Sequence, residues 1–246
     1  NKPAKLIINT YKTKTQAEIN FYMDQQQMID KIDRDLNMNE NIVIGTNRSI
    51  GFSESLEKTL RDKYPNKKIL LINSKTMRDK HIQDMIRDIE CPIRGWKNYN
   101  VVIYSPSIQA GVSFNKEHFD RFYGFFSNHM NVNATRQMIG RCRIFSQNQF
   151  NYHINSIGFS NTPDNIKDFE KYIQKRRNFD TEGLDIPNII PFRENLNGDI
   201  TYPLKDNIYY MWINLRIQAN RDRNNFIYEF LKQEYITGIS KINIIG

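Results

Sequence analysis

The stretch from residue 100 to residue 145 decides the fold of this 246-residue chain. It opens with NVVIYSPSIQAGVSF (100–114) and closes with TRQMIGRCRIF (135–145). Its first apolar run, Val101–Tyr104, breaks into a polar loop that contains a glycine, and this pattern predicts a buried strand followed by a turn. A second apolar run, Arg121–Phe126, and an arginine-rich segment follow. Their order favours an α/β core that handles phosphate groups.

The same alternation of apolar runs and amphipathic segments continues on both sides of this stretch. Strands are predicted at Asn41–Gly45, Lys68–Asn73, Val101–Tyr104, Arg121–Phe126 and Phe150–Ile157. Helices are predicted at Asp24–Leu36, Ser53–Tyr64 (with Ser53 as its N-cap), Asp79–Ile89 and Ala134–Arg141. Such alternation predicts a parallel sheet covered by helices on both faces. Ligands of these sheets bind at the C-terminal ends of the strands, where the polar turns of this chain fall.

The composition changes near residue 158. Helices are predicted from Thr162 to about Arg177 and at Asp206–Gln218 and Asn224–Tyr235, with Gly238 as a C-cap. A short strand is expected at Leu6–Tyr11, an irregular or hairpin segment at Asp180–Tyr202, and a strand or mobile tail at Lys241–Gly246. We therefore expect a first domain, residues 1–157, and a mainly helical C-terminal extension, residues 158–246, packed on it.

The net charge of +8 lies entirely in the first part of the chain. Residues 1–157 contain 23 Lys and Arg against 15 Asp and Glu, whereas residues 158–246 contain 12 of each. This asymmetry favours an anionic partner such as nucleic acid, with an ordinary solvated basic surface as the alternative. No apolar run approaches the ~18 residues of a membrane helix. Cys91 and Cys142 lack metal-ligand spacing and indicate a reducing, intracellular compartment without a metal site.

The segment near residue 140 combines groups that bind phosphate. Gln137 and Arg141 are four residues apart and share one face of a helix. Gly140 lets the backbone approach a partner closely, and the guanidinium groups of Arg141 and Arg143 match phosphate oxygens. An arginine placed across an interface onto a transferring phosphoryl group is worth ~10³–10⁵ in rate. The alternative is a surface helix with ordinary arginines.

The loop after the strand Val101–Tyr104 offers a second set of candidates. Ser105 can donate a hydroxyl hydrogen bond to phosphate, and Gly111 allows close backbone approach or a positive φ. A plain strand-to-loop turn is the alternative for each of these residues taken singly.

VVIYSPSIQAGVSF (101–114) followed by TRQMIGRCR (135–143) resembles motifs V and VI of superfamily 2 helicases. More narrowly, it resembles the viral replication-origin-binding-protein helicases of the herpesvirus type, whose relatives in large DNA viruses can be fused to a primase. NIVIGTNRS (41–49) is similar to motif IV, and LLINSKT (70–76) to the strand segment after it. The resemblance covers about residues 40–157 and implies that this sheet is the second RecA-like lobe of the motor.

The resemblance also implies roles for individual residues. Gln137, Gly140, Arg141 and Arg143 match motif VI, which implies contact with the γ-phosphate of ATP and an arginine finger. Gly111 stands at the motif V glycine near the nucleotide. The positions that imply nucleic-acid contact are Thr46, Asn47, Arg48, Ser49, Ser74 and Ser105. Motif VI commonly has two residues between its arginines, whereas this chain has only Cys142, so either arginine is a candidate for the finger.

The sequence contains no Gly-x-x-x-x-Gly-Lys-Ser/Thr and no adjacent Asp-Glu pair. ATP and Mg²⁺ are therefore expected to bind mainly to a first lobe outside this chain. Single-stranded DNA, that first lobe, a primase domain and self-association are the expected partners, in the host cytoplasm or nucleus. A non-catalytic nucleic-acid-binding module is the alternative function. A Rossmann-type enzyme is disfavoured because no Gly-x-Gly-x-x-Gly turn is present.

Overall fold

The computed structural model describes residues 17–108, 112–155, 162–177, 193–194, 200–201 and 207–246. These residues form two compact units. The first contains the described residues up to Asn155 together with Ile227–Gly246, and the second contains those from Thr162 to Phe226. The sequence pattern assigned all of residues 158–246 to a C-terminal extension. In the structure, the last twenty residues belong to the first unit.

The strands are β1 (Glu18–Tyr22), β2 (Ile42–Thr46), β3 (Ile69–Ile72), β4 (Val101–Tyr104), β5 (Arg121–Ser127), β6 (Gln149–Asn155), β7 (Arg193–Glu194), β8 (Ile200–Thr201) and β9 (Lys241–Ile245). Seven of them form one sheet of the first unit in the order β3-β4-β2-β5-β6-β1-β9. Every neighbouring pair in this sheet is parallel. The predicted α/β class with a parallel sheet is confirmed.

The helices are α1 (Gln25–Asn37), α2 (Ile50–Lys63), α3 (Lys80–Arg87), α4 (Val132–Ile139), α5 (Ile166–Arg177), α6 (Asn207–Asn224) and α7 (Phe226–Ile236). The side chains of Asp24, Asp79 and Asn131 accept main-chain N–H bonds at the starts of α1, α3 and α4. Such caps satisfy donors that have no partner within the helix.

The predicted N-cap of α2 is wrong. Helix α2 begins earlier, because Ser49 is its N-cap and accepts from the N–H of Phe52 at 3.2 Å. Ser53 is instead buried inside the helix, where its hydroxyl donates to the carbonyl of Ile50 at 2.8 Å. Both serines fit a cap by residue type, and the earlier one lies next to the end of β2.

The sheet of the first unit is covered on both faces. On one face, α1 and α2 bury an aliphatic cluster that includes Met28, Ile32, Leu56, Leu60, Ile44 and Ile103. The other face is rich in aromatic side chains. Trp96 packs on Tyr104 and Phe114 with ring centroids 5.6 and 6.0 Å apart, and Phe230 of α7 packs on Tyr152 at 5.2 Å.

Strand β1 was not predicted, and β9 was left open as a strand or a tail. The two strands pair with each other in parallel, and β1 also pairs with β6. Three asparagines in register cross these strands. The amide nitrogen of Asn243 donates to Asn20 at 2.9 Å, and that of Asn20 donates to Asn151 at 3.1 Å. The predicted strand at Leu6–Tyr11 lies outside the described residues.

The second unit contains α5, α6 and the antiparallel pair β7–β8. Its helices bury Phe169, Ile213 and Ile217, with Trp212 packed against them. The β7–β8 pair fits the hairpin alternative for Asp180–Tyr202, most of which lies outside the described residues. After α7, Gly238 has a φ of 106°, as expected for a C-cap glycine. None of the described helices combines the length and apolar composition needed to cross a membrane.

Candidate functional site at the carboxyl edge of the sheet

The polar segments predicted to bind ligands gather at one edge of the sheet. Strands β2, β3, β4 and β5 are parallel neighbours, so the loops after Thr46, Ile72, Tyr104 and Ser127 leave the same side. This carboxyl edge is where α/β sheets bind their ligands.

A cleft of about 360 Å³ lies at this edge between the end of β4 and α4. Its lining consists of Tyr104, Ser105, Pro106, Ile108, Met130, Ala134, Gln137, Met138 and Arg141. The structure therefore brings Ser105, Gln137 and Arg141 together, although they come from two separate motifs. The described lining contains a guanidinium, an amide and two hydroxyls but no carboxylate. This donor set fits a phosphate and provides no anionic ligand for Mg²⁺.

Helix α4 presents Gln137 to the cleft because of its amphipathic pattern. Met138 and Ile139 are buried under the helix, whereas Gln137 is exposed. Gly140 ends the helix with a φ of −68°, a conformation open to any residue. A Cβ added there would meet only main-chain oxygens at 3.6 Å, which is ordinary contact distance. Nothing within the described fold requires glycine at this position.

Main-chain hydrogen bonds join the two segments that resemble motifs V and VI. The N–H of Phe114 donates to the carbonyl of Arg141 at 2.6 Å, and the N–H of Arg143 donates to the carbonyl of Phe114 at 3.1 Å. The Arg141 side chain also donates to the carbonyl of Val112 at 3.2 Å. These bonds hold the segment after α4 against the loop that follows β4.

The single residue between the two arginines has a structural reason. Cys142 forms an isolated parallel bridge with Phe114 and is only 2% exposed. Arg141 and Arg143 flank this buried residue, and Arg141 also lines the cleft. Arg141 is half-buried and Arg143 is exposed. Burial raises the pKa of the Cys142 thiol to about 12, so the thiol is neutral between the two cations.

Tyr104 completes the cleft and was not predicted. Its hydroxyl donates to the main-chain carbonyl of Met138 at 2.6 Å, and burial raises its pKa well above the ordinary value. The tyrosine therefore remains a neutral donor. An apolar run that ends in tyrosine was the available signal, but the partner in α4 depends on the fold.

The last residue of β2, Thr46, and the three residues after it divide into two groups. Thr46 is fully buried and donates to the carbonyl of Phe125 at 2.9 Å. Asn47 donates to the carbonyl of Ser127 at 2.9 Å and accepts from its N–H at 2.7 Å. The side chains of Thr46 and Asn47 thus join the ends of β2 and β5, and we expect them to shape the turn.

Arg48 and Ser49 lie further out on the same turn. The guanidinium of Arg48 stands 4.2 Å from the ring centroid of Phe52 and donates to the side chain of Gln25. Partial burial lowers its pKa from the ordinary arginine value. Ser49 is exposed, although its hydroxyl oxygen is occupied as the cap of α2. The cation suited to a phosphate contact in this turn is therefore Arg48.

Ser74 is exposed in the turn after β3, and the residue that builds this turn is its neighbour Asn73. The buried Asn73 side chain accepts from the N–H groups of Lys75 and Thr76 at 2.9 and 3.0 Å. An Asn at a strand end was the missed signal. Ser105 is half-buried, with its hydroxyl 2.9 Å from that of Ser107. Gly111 lies outside the described residues.

Sequence comparisons add independent information. A family described as origin of replication binding protein matches residues 4–165. A helicase/primase complex protein of African swine fever virus is 30% identical over 245 residues, which cover 97% of this chain and 22% of that protein. The replication origin-binding protein of Gallid herpesvirus 2 is 30% identical over 80 residues, 31% of this chain and 10% of that one.

The chain is also weakly similar to solved structures. The yeast DEAD-box splicing factor Prp28 is 10% identical with a TM-score of 0.41, over 82% of this chain and 38% of that one. The Cas3 protein of T. fusca is 11% identical with a TM-score of 0.42, over 96% and 27%. The chain spans about a fifth of the length of the African swine fever virus relatives that it matches.

Proposed function

The chain belongs to the origin of replication binding protein family, and from this membership we propose that it is the second RecA-like motor lobe of an ATP-dependent DNA helicase. The helicase would act in viral genome replication, as the names of the relatives suggest. The observation that carries the proposal is the pairing of two motifs. Main-chain bonds between Phe114 and the arginine segment align Ser105, Gln137 and Arg141 on one cleft.

In this proposal Arg141 and Arg143 act on a phosphate that is bound mainly by the first lobe. ATP would bring the transferable phosphoryl group, and the P-loop, the acidic residues and Mg²⁺ would belong to that lobe. Arg141 lines the cleft and Arg143 is exposed two residues further on, so either is a candidate to contact the phosphate. Gln137 is exposed one helical turn before Arg141 and can orient the same group. Arginines in this role are worth ~10³–10⁵ in rate.

The same edge of the sheet would hold one strand of DNA. Arg48, Ser49, Ser74 and Ser105 all follow the C-terminal ends of neighbouring strands, and the domain that carries them holds the excess positive charge. Contacts to backbone phosphates are independent of base sequence and weaken with salt. Closure of the two lobes would move this edge along the strand and couple hydrolysis to a step. A primase domain and self-association are further partners within the proposal.

The proposal is tested with Arg141→Ala and Arg143→Ala in a two-lobe protein. We expect the variant that lacks the arginine finger, whichever of the two it is, to lose about 10³-fold or more in ATPase turnover. Its binding to single-stranded DNA should change less than about twofold. The control is Arg87→Ala on α3, because Arg87 is 78% exposed and pairs only at the surface with Asp84 in the described contacts. Equal loss of DNA binding and turnover would favour the non-catalytic binding module instead. The chain alone should show no ATPase above background.

A further inference from the structure

The helix that carries Gln137 is held from behind by an ion pair with a distant part of the chain. The Nε of Arg136 lies 2.9 Å from Oε1 of Glu234, which belongs to α7. The Glu234 side chain is completely buried, and the Arg136 side chain is 23% exposed. Ninety-eight residues separate the two partners, so the pair joins the arginine motif to the last part of the first unit.

Glu234 lies where three elements meet. One turn before it on α7, Phe230 packs against Phe126 of β5 and Tyr152 of β6, with ring centroids 5.9 and 5.2 Å apart. Burial raises the pKa of Tyr152 well above its ordinary value, and the charge of Glu234 raises it further. The carboxylate is therefore close to β6 as well as to α4, inside an aromatic environment that holds α7 in place.

A buried carboxylate in these surroundings constrains its partner. Removing an ion from water is costly unless a counter-charge and hydrogen bonds accompany it, so Glu234 strongly favours one location for the guanidinium of Arg136. Helix α4 has only eight residues, too few to be stable without tertiary contacts. A second buried contact, from the hydroxyl of Tyr104 to the carbonyl of Met138, ties α4 to the end of β4. The anchored residues, Arg136 and Met138, flank Gln137 in the sequence.

We propose that Arg136 and Glu234 are positioning residues of the motor site. The pair sets the orientation of α4, so that Gln137 faces the cleft and Arg141 follows at the correct angle to reach the phosphate. This inference rests on the proposed helicase function. It adds a contribution from α7, a helix that belongs to none of the motifs in the sequence resemblance.

The experiment compares Glu234→Gln, Arg136→Gln and the double variant in the two-lobe protein. Turnover, KM for ATP and the thermal midpoint are measured for each, at a temperature below all midpoints. We expect Glu234→Gln to lower kcat about tenfold or more with little change in KM, the pattern of a misplaced group. The double variant should lose no more kcat than the worse single variant, because the two residues act as one unit.

A matched control separates positioning from general stability. Arg121 Nε lies 2.7 Å from Oε2 of Glu40, and both side chains are 14% exposed. This pair lies at the amino ends of β2 and β5, away from the cleft. Glu40→Gln should lower the thermal midpoint while kcat stays within about twofold.

Each outcome supports or overturns the proposal. If Glu234→Gln does not fold, the double variant decides, because it removes both charges and leaves no buried carboxylate without its counter-charge. Unchanged kcat in the folded variant, while Arg141→Ala or Arg143→Ala is inactive, would reduce the pair to a purely structural role. Full turnover in both Arg141→Ala and Arg143→Ala would instead overturn the helicase mechanism and this role with it.

Discussion

The hydroxyl of Tyr104 donates a buried hydrogen bond of 2.6 Å to the main-chain carbonyl of Met138. Tyr104 is the last residue of β4, immediately before Ser105, and Met138 follows Gln137 in α4. One buried bond thus connects the two halves of the candidate cleft. Because Tyr104 is fully buried and its pKa is raised by that burial, the bond persists across the pH range in which enzymes are assayed.

Replacing Tyr104 with Phe should weaken this connection without emptying the core. The ring keeps its packing against Trp96, 5.6 Å away, and the Met138 carbonyl still accepts from the N–H of Arg141 at 3.1 Å. We expect the free energy of unfolding in urea to fall by about 1 kcal/mol, and kcat of the two-lobe protein to fall several-fold.

The control for this variant is Tyr64→Phe. The hydroxyl of Tyr64 donates to Asp33 at 3.1 Å, in a contact between α2 and α1 on the other face of the sheet. A similar loss of stability with unchanged kcat is expected there. Equal effects of the two variants on kcat would show that the Tyr104–Met138 bond has no special connection to the site.

The central strands could be predicted because their signals are local. Strands β2 to β5 are short apolar runs that end in polar turns, and the observed bounds of β2 to β6 differ from the predicted ones by at most two residues. Strand β1 lacks such a run, since Glu18 and Asn20 interrupt EINFY. Its neighbours, β6 and β9, lie about 130 and 220 residues further along the chain, so nothing near β1 indicates that it joins the sheet.

The part of the candidate site that depends on local sequence patterns could also be predicted. Ser105 follows β4 at the carboxyl edge, and α4, which follows β5 at the same edge, brings Gln137 and Arg141 to it. The hydrogen bond from the Asn47 side chain to Ser127 within the fold was not predictable, because Ser127 is eighty residues away. The Arg136–Glu234 pair was hidden for the same reason: no local pattern relates the two residues.

Arg48→Ala should weaken binding to single-stranded DNA and reduce its dependence on salt. The guanidinium is held by Phe52 and Gln25 at the carboxyl edge, so its loss removes one prepositioned cation. We expect the slope of log Kd against log salt concentration to decrease by about one, with similar losses for different DNA sequences. Fluorescence anisotropy at several salt concentrations measures this slope.

The control for Arg48 is Lys58→Ala, an exposed cation near the middle of α2. It should leave the slope nearly unchanged, because a charge outside the edge releases no counterion from the bound DNA. Loss of affinity for one sequence alone would argue against a backbone contact by Arg48.

The buried thiol of Cys142 should make the fold sensitive to alkaline pH. Burial raises its pKa to about 12, whereas an unfolded cysteine ionises near pH ~8.5. Because the unfolded chain releases this proton first, the free energy of unfolding is unaffected at neutral pH and falls as pH rises toward 12. The slope for one group is about 1.4 kcal/mol per pH unit. Between pH 8 and 10, Cys142→Ala should therefore lose about 1–2 kcal/mol less than the wild type.

Cys91 provides a control of opposite sign. The N–H groups of Arg94 and Ile93 lower the pKa of its thiol, so the folded chain releases this proton first and gains stability as pH rises. Cys91→Ala should lack that gain, most of which falls below pH ~9 because the unfolded thiol ionises near pH ~8.5. Urea unfolding under reducing conditions measures all three proteins. Identical pH dependence of Cys142→Ala and the wild type would contradict the assignment.

Replacing each of the three asparagines that join β6, β1 and β9 should lower the free energy of unfolding by a different amount. Asn151 and Asn20 are buried, and Asn243 is half-buried on the edge strand. Asn151 accepts from Asn20 at 3.1 Å and donates to the carbonyl of Phe122 at 3.3 Å. Removal of Asn151 therefore leaves a buried amide donor of Asn20 without its partner, which costs about 1–3 kcal/mol.

Asn243→Ala removes the outermost amide, and water can reach the group that it leaves. We expect Asn151→Ala to lower the free energy of unfolding more than Asn243→Ala, and Asn155→Ala, at the exposed end of β6, to change it by less than about 0.5 kcal/mol. Amide hydrogen exchange should localise the effect, since loss of the inner contact weakens β1 and its partner β9 together. If Asn243→Ala were the most costly of the three, the edge strand and not the buried amides would determine the stability of this side of the sheet.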